Sequence, residues 1–196
     1  MNAYSLVLFL HVSGDIGIFI GIGLQLFSLM ALRRARRVEQ VQAITWLITL
    51  SNRVSTGSAL LTIAAGFYMA LTVWGLQTGW IAVTLASLVV LLGPLLAGII
   101  EPRMRAIVSM SQAAADGPLP AMLTAHIHDP VLGTTLQTVT AVVLGIVFLM
   151  TNKPSLGGAI LVIGIFLTLG LASSLPLWRA ARARRAALNR TGTINL

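Results

Sequence analysis

The chain has 196 residues, a formal net charge of +8 and a hydrophobic fraction of 57%, yet only 9% of its residues are charged. Soluble domains carry about 25% charged residues, so this composition excludes an ordinary soluble enzyme and indicates one membrane-embedded domain. Because the chain contains no cysteine, disulfides, thiolate metal sites and cysteine nucleophiles are also excluded.

Five long apolar stretches predict an all-α, polytopic transmembrane helix bundle that occupies residues 1–196 as a single domain. Each stretch reaches the length of about 20 residues that a hydrocarbon core requires. The predicted spans cover residues 4–32, 44–76, 80–101, 130–150 and 155–178, with a cytoplasmic connection at 102–129 and a basic tail at 179–196. In the third span, Gly93-Pro94 predicts a kink, because proline lacks the backbone N–H.

The distribution of basic residues predicts the orientation. With the N-terminus outside and the C-terminus cytoplasmic, eleven of the thirteen Lys and Arg residues lie on the cytoplasmic side, as the positive-inside rule requires. This explains the positive charge without a nucleic-acid partner and predicts a multi-pass protein of the bacterial inner (plasma) membrane. The arginines expected to contact anionic lipid head groups are Arg33, Arg34, Arg36, Arg37, Arg182, Arg184 and Arg185.

The first span carries two unusual stripes of residues. His11, Asp15 and Gln25 stand at i, i+4 and i+14, so they share one face of a helix. A neighbouring stripe of small residues allows a second helix to approach closely. That stripe consists of Gly14, Gly17 and Gly21. We therefore expect both stripes to point into the bundle.

Asp15 lies deep in the first span, where a carboxylate must be protonated, paired or hydrated. His11 is one turn away, and Arg53 on the antiparallel second span is expected near the same depth. Gln25 and Gln137 are candidates for hydrogen bonds across helices. Two interpretations of this buried polar cluster stay open, namely a proton-relay or ion site and a structural polar clasp. In a further alternative, the long side chain of Arg53 extends to the membrane interface and does not join this cluster.

A run of histidines before the fourth span has some resemblance to a metal site. His126 and His128 stand two residues apart and are followed by Asp129. No fourth ligand is evident, however, and Asp129 before Pro130 is explained as a helix N-cap. We therefore assign no metal, and no pattern in the chain identifies catalytic residues.

Short motifs of the chain resemble an uncharacterised family of bacterial integral membrane proteins, a domain of unknown function. They are Leu10-His11-Val12-Ser13-Gly14, continuing to Gly21, and Glu101-Pro102-Arg103-Met104-Arg105. That family in turn resembles the copper-resistance D-type membrane proteins and the membrane-type protoporphyrinogen oxidase. The resemblance implies that His11 is a candidate ligand of haem b. The oxidase also needs a membrane lysine, whereas the sole lysine of this chain, Lys153, is predicted to lie in an outer loop.

Three functional hypotheses follow. The first is a non-enzymatic membrane subunit or scaffold, which associates with its own copies or with another membrane protein. The second is transport of a small solute, an ion or a proton through the cluster of His11, Asp15 and Arg53. The third is a b-type haem protein with His11 as ligand. Short loops and the absence of a catalytic motif favour the first hypothesis.

Overall fold

The computed structural model of the chain describes residues 2–192 and the side chains of residues 2–183. This described part is helical and contains no β-strand. Its helices are α1 (Ala3–Arg34), α2 (Val38–Met69), α3 (Gly79–Ala86), α4 (Glu101–Ala113), α5 (Ala121–Ile127), α6 (Pro130–Asn152), α7 (Leu156–Ser173) and α8 (Leu175–Gly192). Three wider, π-helical segments continue α2 and α3 at Ala70–Trp74, Ser87–Leu92 and Pro94–Ile100.

Five helical stretches of the described chain are long and apolar enough to cross a membrane, as the sequence predicts. They extend over Ala3–Arg34, Val38–Trp74, Gly79–Ala113, Ala121–Asn152 and Leu156–Ala183. The third stretch continues well beyond its predicted end at residue 101, because α4 follows the π-helical segment without a break. The predicted connection at 102–129 is therefore largely helical.

Helices α1 and α2 form an antiparallel hairpin with closely spaced backbones. A Cβ atom added to Gly14 would lie 3.0 Å from the carbonyl oxygen of Ser58, and one on Gly17 would lie 2.9 Å from the Cβ of the same serine. One turn further on, a Cβ on Gly21 would lie 3.1 Å from the Cα of Ser55. The glycine stripe thus faces small residues of α2, which permits this short separation.

The third candidate span has an irregular interior. The chain keeps helical backbone angles at Gly93, and π-helical segments flank this residue on both sides. Pro94 begins the second of them, since proline has no N–H to donate and its ring displaces the preceding turn. The predicted disturbance at Gly93-Pro94 is thus accommodated by wider turns, a geometry often found at functional sites.

Helix α6 lies at the centre of the bundle. In the candidate span that contains it, 50% of the most apolar window is buried within the molecule, compared with 17–22% in the other four. Several of its side chains have no exposed surface, namely Leu132, Leu136, Val142 and Leu149. Helices α3 and α7 pack against α6, and these three form a second unit beside the α1–α2 hairpin.

At one end of the bundle, the hairpin contacts α4 and the segment that follows it. There the amide of Gln42 donates to the carbonyl of Ser111 on α4 (2.9 Å), and the backbone of Val38 donates to that of Gly117 (2.9 Å). We name this the basic end, because it carries Arg34, Arg36, Arg37, Arg103 and Arg105. The opposite end carries Tyr4, Trp74 and Lys153. Between the two ends, α2 and α3 form opposite walls of a cleft.

Candidate functional site

The imidazole of His11 is buried between α1, α2 and α6. Its Nδ1 atom lies 2.8 Å from the backbone carbonyl oxygen of Thr62. A carbonyl can only accept a hydrogen bond, so Nδ1 carries the proton. The other ring nitrogen, Nε2, then presents a lone pair when the ring is neutral. It lies 3.4 Å from the sulfur of Met150.

Asp15 lies one helical turn beyond His11 on the same face of α1. One carboxylate oxygen lies 3.9 Å from Nε2 of His11, and the Asp15 side chain is 25% exposed, whereas that of His11 is 8% exposed. Both side chains line the cleft. With a protonated imidazole, the two side chains would form an ion pair.

Space for the imidazole comes from Gly66 on α2. A Cβ atom at this position would lie 2.8 Å from Cε1 of His11 and 3.1 Å from Nδ1. Only glycine leaves room for the ring at its present position. The sequence analysis did not identify Gly66, although this glycine stands one helical turn after Thr62, which receives the imidazole hydrogen bond.

Met150 is the second residue that the sequence analysis missed. It reaches His11 from α6, across 139 residues of sequence, so no local pattern could have indicated the contact. We define the His11–Asp15 site as His11, Asp15, Thr62, Gly66 and Met150. It ties the α1–α2 hairpin to the second unit near the end opposite the basic end.

The cleft beside this site has a volume of about 910 Å³. Its lining is mainly apolar and comes from α1, α2, the third candidate span and α6. Representative apolar residues are Leu8, Ile22, Ile63, Leu88, Leu92 and Val143. Thr84 on α3 also lines the cleft and is only 4% exposed, and its hydroxyl has no hydrogen-bond partner among the described residues.

Arg53 does not join the His11–Asp15 site. It is exposed, and the ion pair recorded for Asp15 within the described chain is the one with His11. The register of the hairpin explains the difference. Gly21 lies beside Ser55 and Gly14 beside Thr62, so Arg53 is about two helical turns, roughly 12 Å, closer to the basic end than Asp15. The structure therefore does not bring Arg53 to Asp15, and the alternative that Arg53 reaches the membrane interface stays a prediction.

The two glutamines have different surroundings. Gln25 is 8% exposed and lines the cleft on the same stripe as Asp15. Gln137 lies away from the cleft, where its side-chain oxygen accepts a hydrogen bond from the hydroxyl of Ser173 on α7 (3.2 Å). The predicted cluster thus reduces to His11 and Asp15 with Gln25 along the same wall, whereas Gln137 joins α6 to α7.

The residues considered for a metal each have another partner. Nδ1 of His126 lies 3.0 Å from the carbonyl oxygen of Met122, and His128 makes the equivalent bond within its own helix. Asp129 accepts from the backbone N–H of Val131 (2.9 Å) and from Arg103 (3.0 Å). Among the described residues, no three His, Asp or Glu side chains form a group that could hold a metal ion.

Most of the predicted head-group arginines lie at the basic end. Arg34, Arg36, Arg37 and Arg182 are exposed, and Arg33 is partly buried beside Gly133. Arg37 is held by Glu39 at 2.9 Å, and this carboxylate raises the pKa of Arg37 above its usual value. The side chains of Arg184 and Arg185 lie outside the described part of the chain.

A haem in this cleft would have one histidine of the site available to it, His11. Its Nδ1–H is bound to a carbonyl, as in most ligating histidines, and its Nε2 points to Met150 and Asp15. His126 and His128 lie near the basic end. The sulfur of Met150 lies 3.4 Å from Nε2 and a carboxylate oxygen of Asp15 lies 3.9 Å from it. Iron–nitrogen bonds are about 2 Å long, so Met150 occupies the space that a haem on Nε2 would need, and His11 could act as an axial ligand only after Met150 moved.

Comparison with known proteins gives no relative from which a function could be inferred. No family model matches the sequence, and no curated protein or solved structure shows significant similarity. The function must therefore be argued from the cleft and the His11–Asp15 site.

Proposed function

We propose that this chain is a non-enzymatic subunit of the bacterial inner membrane that binds an apolar molecule in the cleft between α2 and α3. The volume of about 910 Å³ is the observation that carries the proposal. Ligand-binding cavities typically have volumes of about 300–1,000 Å³ and mainly apolar walls with a few polar groups. The cleft has both properties, since its lining is mainly apolar and includes polar side chains, among them His11, Asp15 and Thr84.

The proposed orientation places the basic end in the cytoplasm and the N-terminus outside. Its support is the concentration of arginines at the basic end, together with the aromatic residues Tyr4, Trp74 and Trp80 near the opposite end. In this orientation the exposed arginines contact anionic lipid head groups of the cytoplasmic leaflet. The His11–Asp15 site then lies nearer the outer leaflet.

Lipid analysis of purified variants tests the binding proposal. Leu88 lines the cleft, whereas the adjacent Val89 is 74% exposed on another face of the same helix. We expect about one apolar molecule per chain to copurify with the wild-type protein and with Val89→Trp, and to be absent from Leu88→Trp. Mass spectrometry of lipid extracts measures this. Equal retention by both variants, or no bound molecule above the detergent background, would contradict the proposal.

A second candidate function, a b-type haem protein, is supported by the bond from Nδ1 of His11 to a carbonyl, which is typical of ligating histidines, but it requires Met150 to move away from Nε2. In that case the apolar cleft would exclude water from the haem, and His11 would supply one axial bond. An absorbance spectrum of protein purified from haem-replete cells, before and after dithionite, tests this. A Soret band that His11→Ala removes would favour haem, whereas a colourless protein would leave the first proposal alone.

Transport of an ion or proton would use Asp15 and His11 without Arg53. Its support is the adjacency of the two titratable side chains and their contact with the cleft. A route through one chain also needs polar groups toward the basic end, and Gln25, Asn52 and Thr56 line the cleft in that direction. Proton flux in liposomes separates this hypothesis from simple binding.

A further inference from the structure

Lys153 occupies an unusual position at the end of α6. Its backbone is left-handed, with φ of 47°, and its N–H donates to the carbonyl of Leu149 at 2.8 Å. Helices commonly end in this way, but the residue is usually glycine, which adopts positive φ without strain. The ammonium group lies 4.1 Å from the ring centroid of Trp74, and both residues line the cleft.

The orientation rule does not explain this cation. All twelve arginines except Arg53 belong to the basic end or to the tail, while the sole lysine lies at the opposite end. No carboxylate lies within ion-pair distance of Lys153 in the described chain. The five acidic residues of the protein are Asp15, Glu39, Glu101, Asp116 and Asp129, and only Asp15 lies in the half of the bundle that contains Lys153.

The two mouths of the cleft therefore differ in charge. Near the basic end, Arg105 and Glu101 both line the cleft and pair with each other, so their charges cancel. At the opposite mouth, Lys153 is exposed, and within the described chain its ammonium group has only the face of Trp74 as a partner. Among the charged side chains that line the two mouths, an unpaired cation is therefore present at this mouth, where it favours an anionic group.

Polar and aromatic groups surround the positive mouth. Trp80 packs edge-on against Trp74 with ring centroids 6.0 Å apart, which forms an amphipathic rim suited to the membrane interface. One turn deeper, the buried hydroxyl of Thr84 lacks a hydrogen-bond partner in the described chain. This hydroxyl has almost no accessible surface, so the groups open to a ligand at this mouth are Lys153 and the two tryptophans.

We propose that the cleft binds an anionic phospholipid, with its phosphate at Lys153 and its acyl chains directed past Leu88 and Leu92 toward the basic end. The apolar walls accommodate the chains, and the single uncompensated cation selects the head group. This inference rests on the proposed binding function and specifies its ligand. It also explains why a lysine, rather than glycine, ends α6.

Native mass spectrometry of the detergent-solubilised full chain tests the inference with three probes that share identical acyl chains. They are phosphatidylglycerol, phosphatidylcholine and diacylglycerol. We expect the wild-type protein to prefer phosphatidylglycerol over phosphatidylcholine about fivefold, the effect of one cation beside an anionic head group. Lys153→Gly should remove the preference, because it deletes the charge and relieves the backbone. Lys153→Arg should retain it.

The controls separate the failure of this inference from failure of the proposed function. Arg53→Gln deletes an exposed cation that neither lines the cleft nor belongs to the head-group arginines, so the preference should persist. If Arg53→Gln and Lys153→Gly reduce the preference equally, or if the wild-type protein has none, the inference is wrong. If diacylglycerol also fails to bind, or binds equally to Leu88→Trp, the proposed function fails as well.

Discussion

The Nδ1 atom of His11 lies 2.8 Å from the carbonyl oxygen of Thr62, and the hydroxyl of Thr62 lies 3.5 Å from the carbonyl oxygen of His11. This reciprocal pairing joins α1 to α2 inside the bundle and fixes the orientation of the imidazole. Hydrogen bonds of this kind between membrane helices contribute about 0.6 kcal/mol on average. Their main consequence here is that Nε2 points to Met150 and Asp15.

Replacing Gly66 by alanine should destabilise the hairpin. The added Cβ would lie 2.8 Å from Cε1 of His11, so the ring must move and lose its bond to Thr62. We expect the free energy of unfolding to fall by about 1–3 kcal/mol, the usual effect of overpacking. Titration with a denaturing detergent, followed by circular dichroism, measures the change.

Gly57→Ala is the matched control for this substitution. Gly57 lies on the same helix, but a Cβ there would have no neighbour within 4 Å. Its stability should equal or exceed that of the wild-type protein, because alanine is the better helix former. A similar loss of stability in both variants would show that the contact with the imidazole is not the cause.

Asp15→Asn tests whether the carboxylate conducts protons. Under the binding proposal, proteoliposomes containing this variant should have the same proton flux as those containing the wild-type protein, measured with an enclosed pH-sensitive dye. The amide retains the shape and hydrogen-bonding capacity of the side chain but carries no charge. A wild-type flux above that of empty liposomes, abolished by the substitution, would favour transport instead.

Arg53→Gln should leave stability and ligand retention almost unchanged. The side chain is exposed, and surface substitutions usually alter the free energy of unfolding by less than about 0.5 kcal/mol. Loss of a buried partner of Asp15 would instead cost about 3–5 kcal/mol. Denaturation of the two proteins in the same detergent distinguishes these values, and a large loss would place Arg53 beside Asp15 after all.

Asp129 has two roles that different substitutions separate. Asp129→Asn keeps an oxygen that can accept from the N–H of Val131 but loses the ion pair with Arg103, whereas Asp129→Ala loses both. We expect alanine to reduce the free energy of unfolding by about 1 kcal/mol more than asparagine, the typical effect of an N-cap. Equal stability of the two variants would show that the cap contributes nothing.

The sequence was sufficient to predict the five helices of the described chain that are long and apolar enough to cross a membrane, because their signal is local. Twenty or more apolar residues in succession have few alternatives to a membrane helix, and Asp129-Pro130 identifies where α6 begins. The glycine stripe of α1 also follows from helical periodicity. The sequence did not reveal which serines of α2 face this stripe, since that depends on the register of the two helices.

The polar site was harder to predict, because its members come from three helices. Asp15 and Arg53 carry opposite charges and lie on adjacent helices, but the register of the hairpin separates them by about two helical turns. Met150 and Gly66 are uncharged, so the sequence does not indicate that they belong to the polar site. Each comes close to His11 only when the chain folds. The sequence also does not distinguish Gln25, which lines the cleft, from Gln137, which joins α6 to α7.

The π-helical segments of the third candidate span have a consequence for the cleft. A π-turn holds one residue more than an α-turn, so conversion of Ser87–Leu92 to α-helix would rotate the following residues by about 100°. Such a conversion would turn Leu92 and Leu96 away from α2 without breaking the helix. The choice between π-helical and α-helical turns in this one helix would then set the width of the cleft. Hydrogen exchange of the backbone amides at residues 87–100 would detect such a conversion.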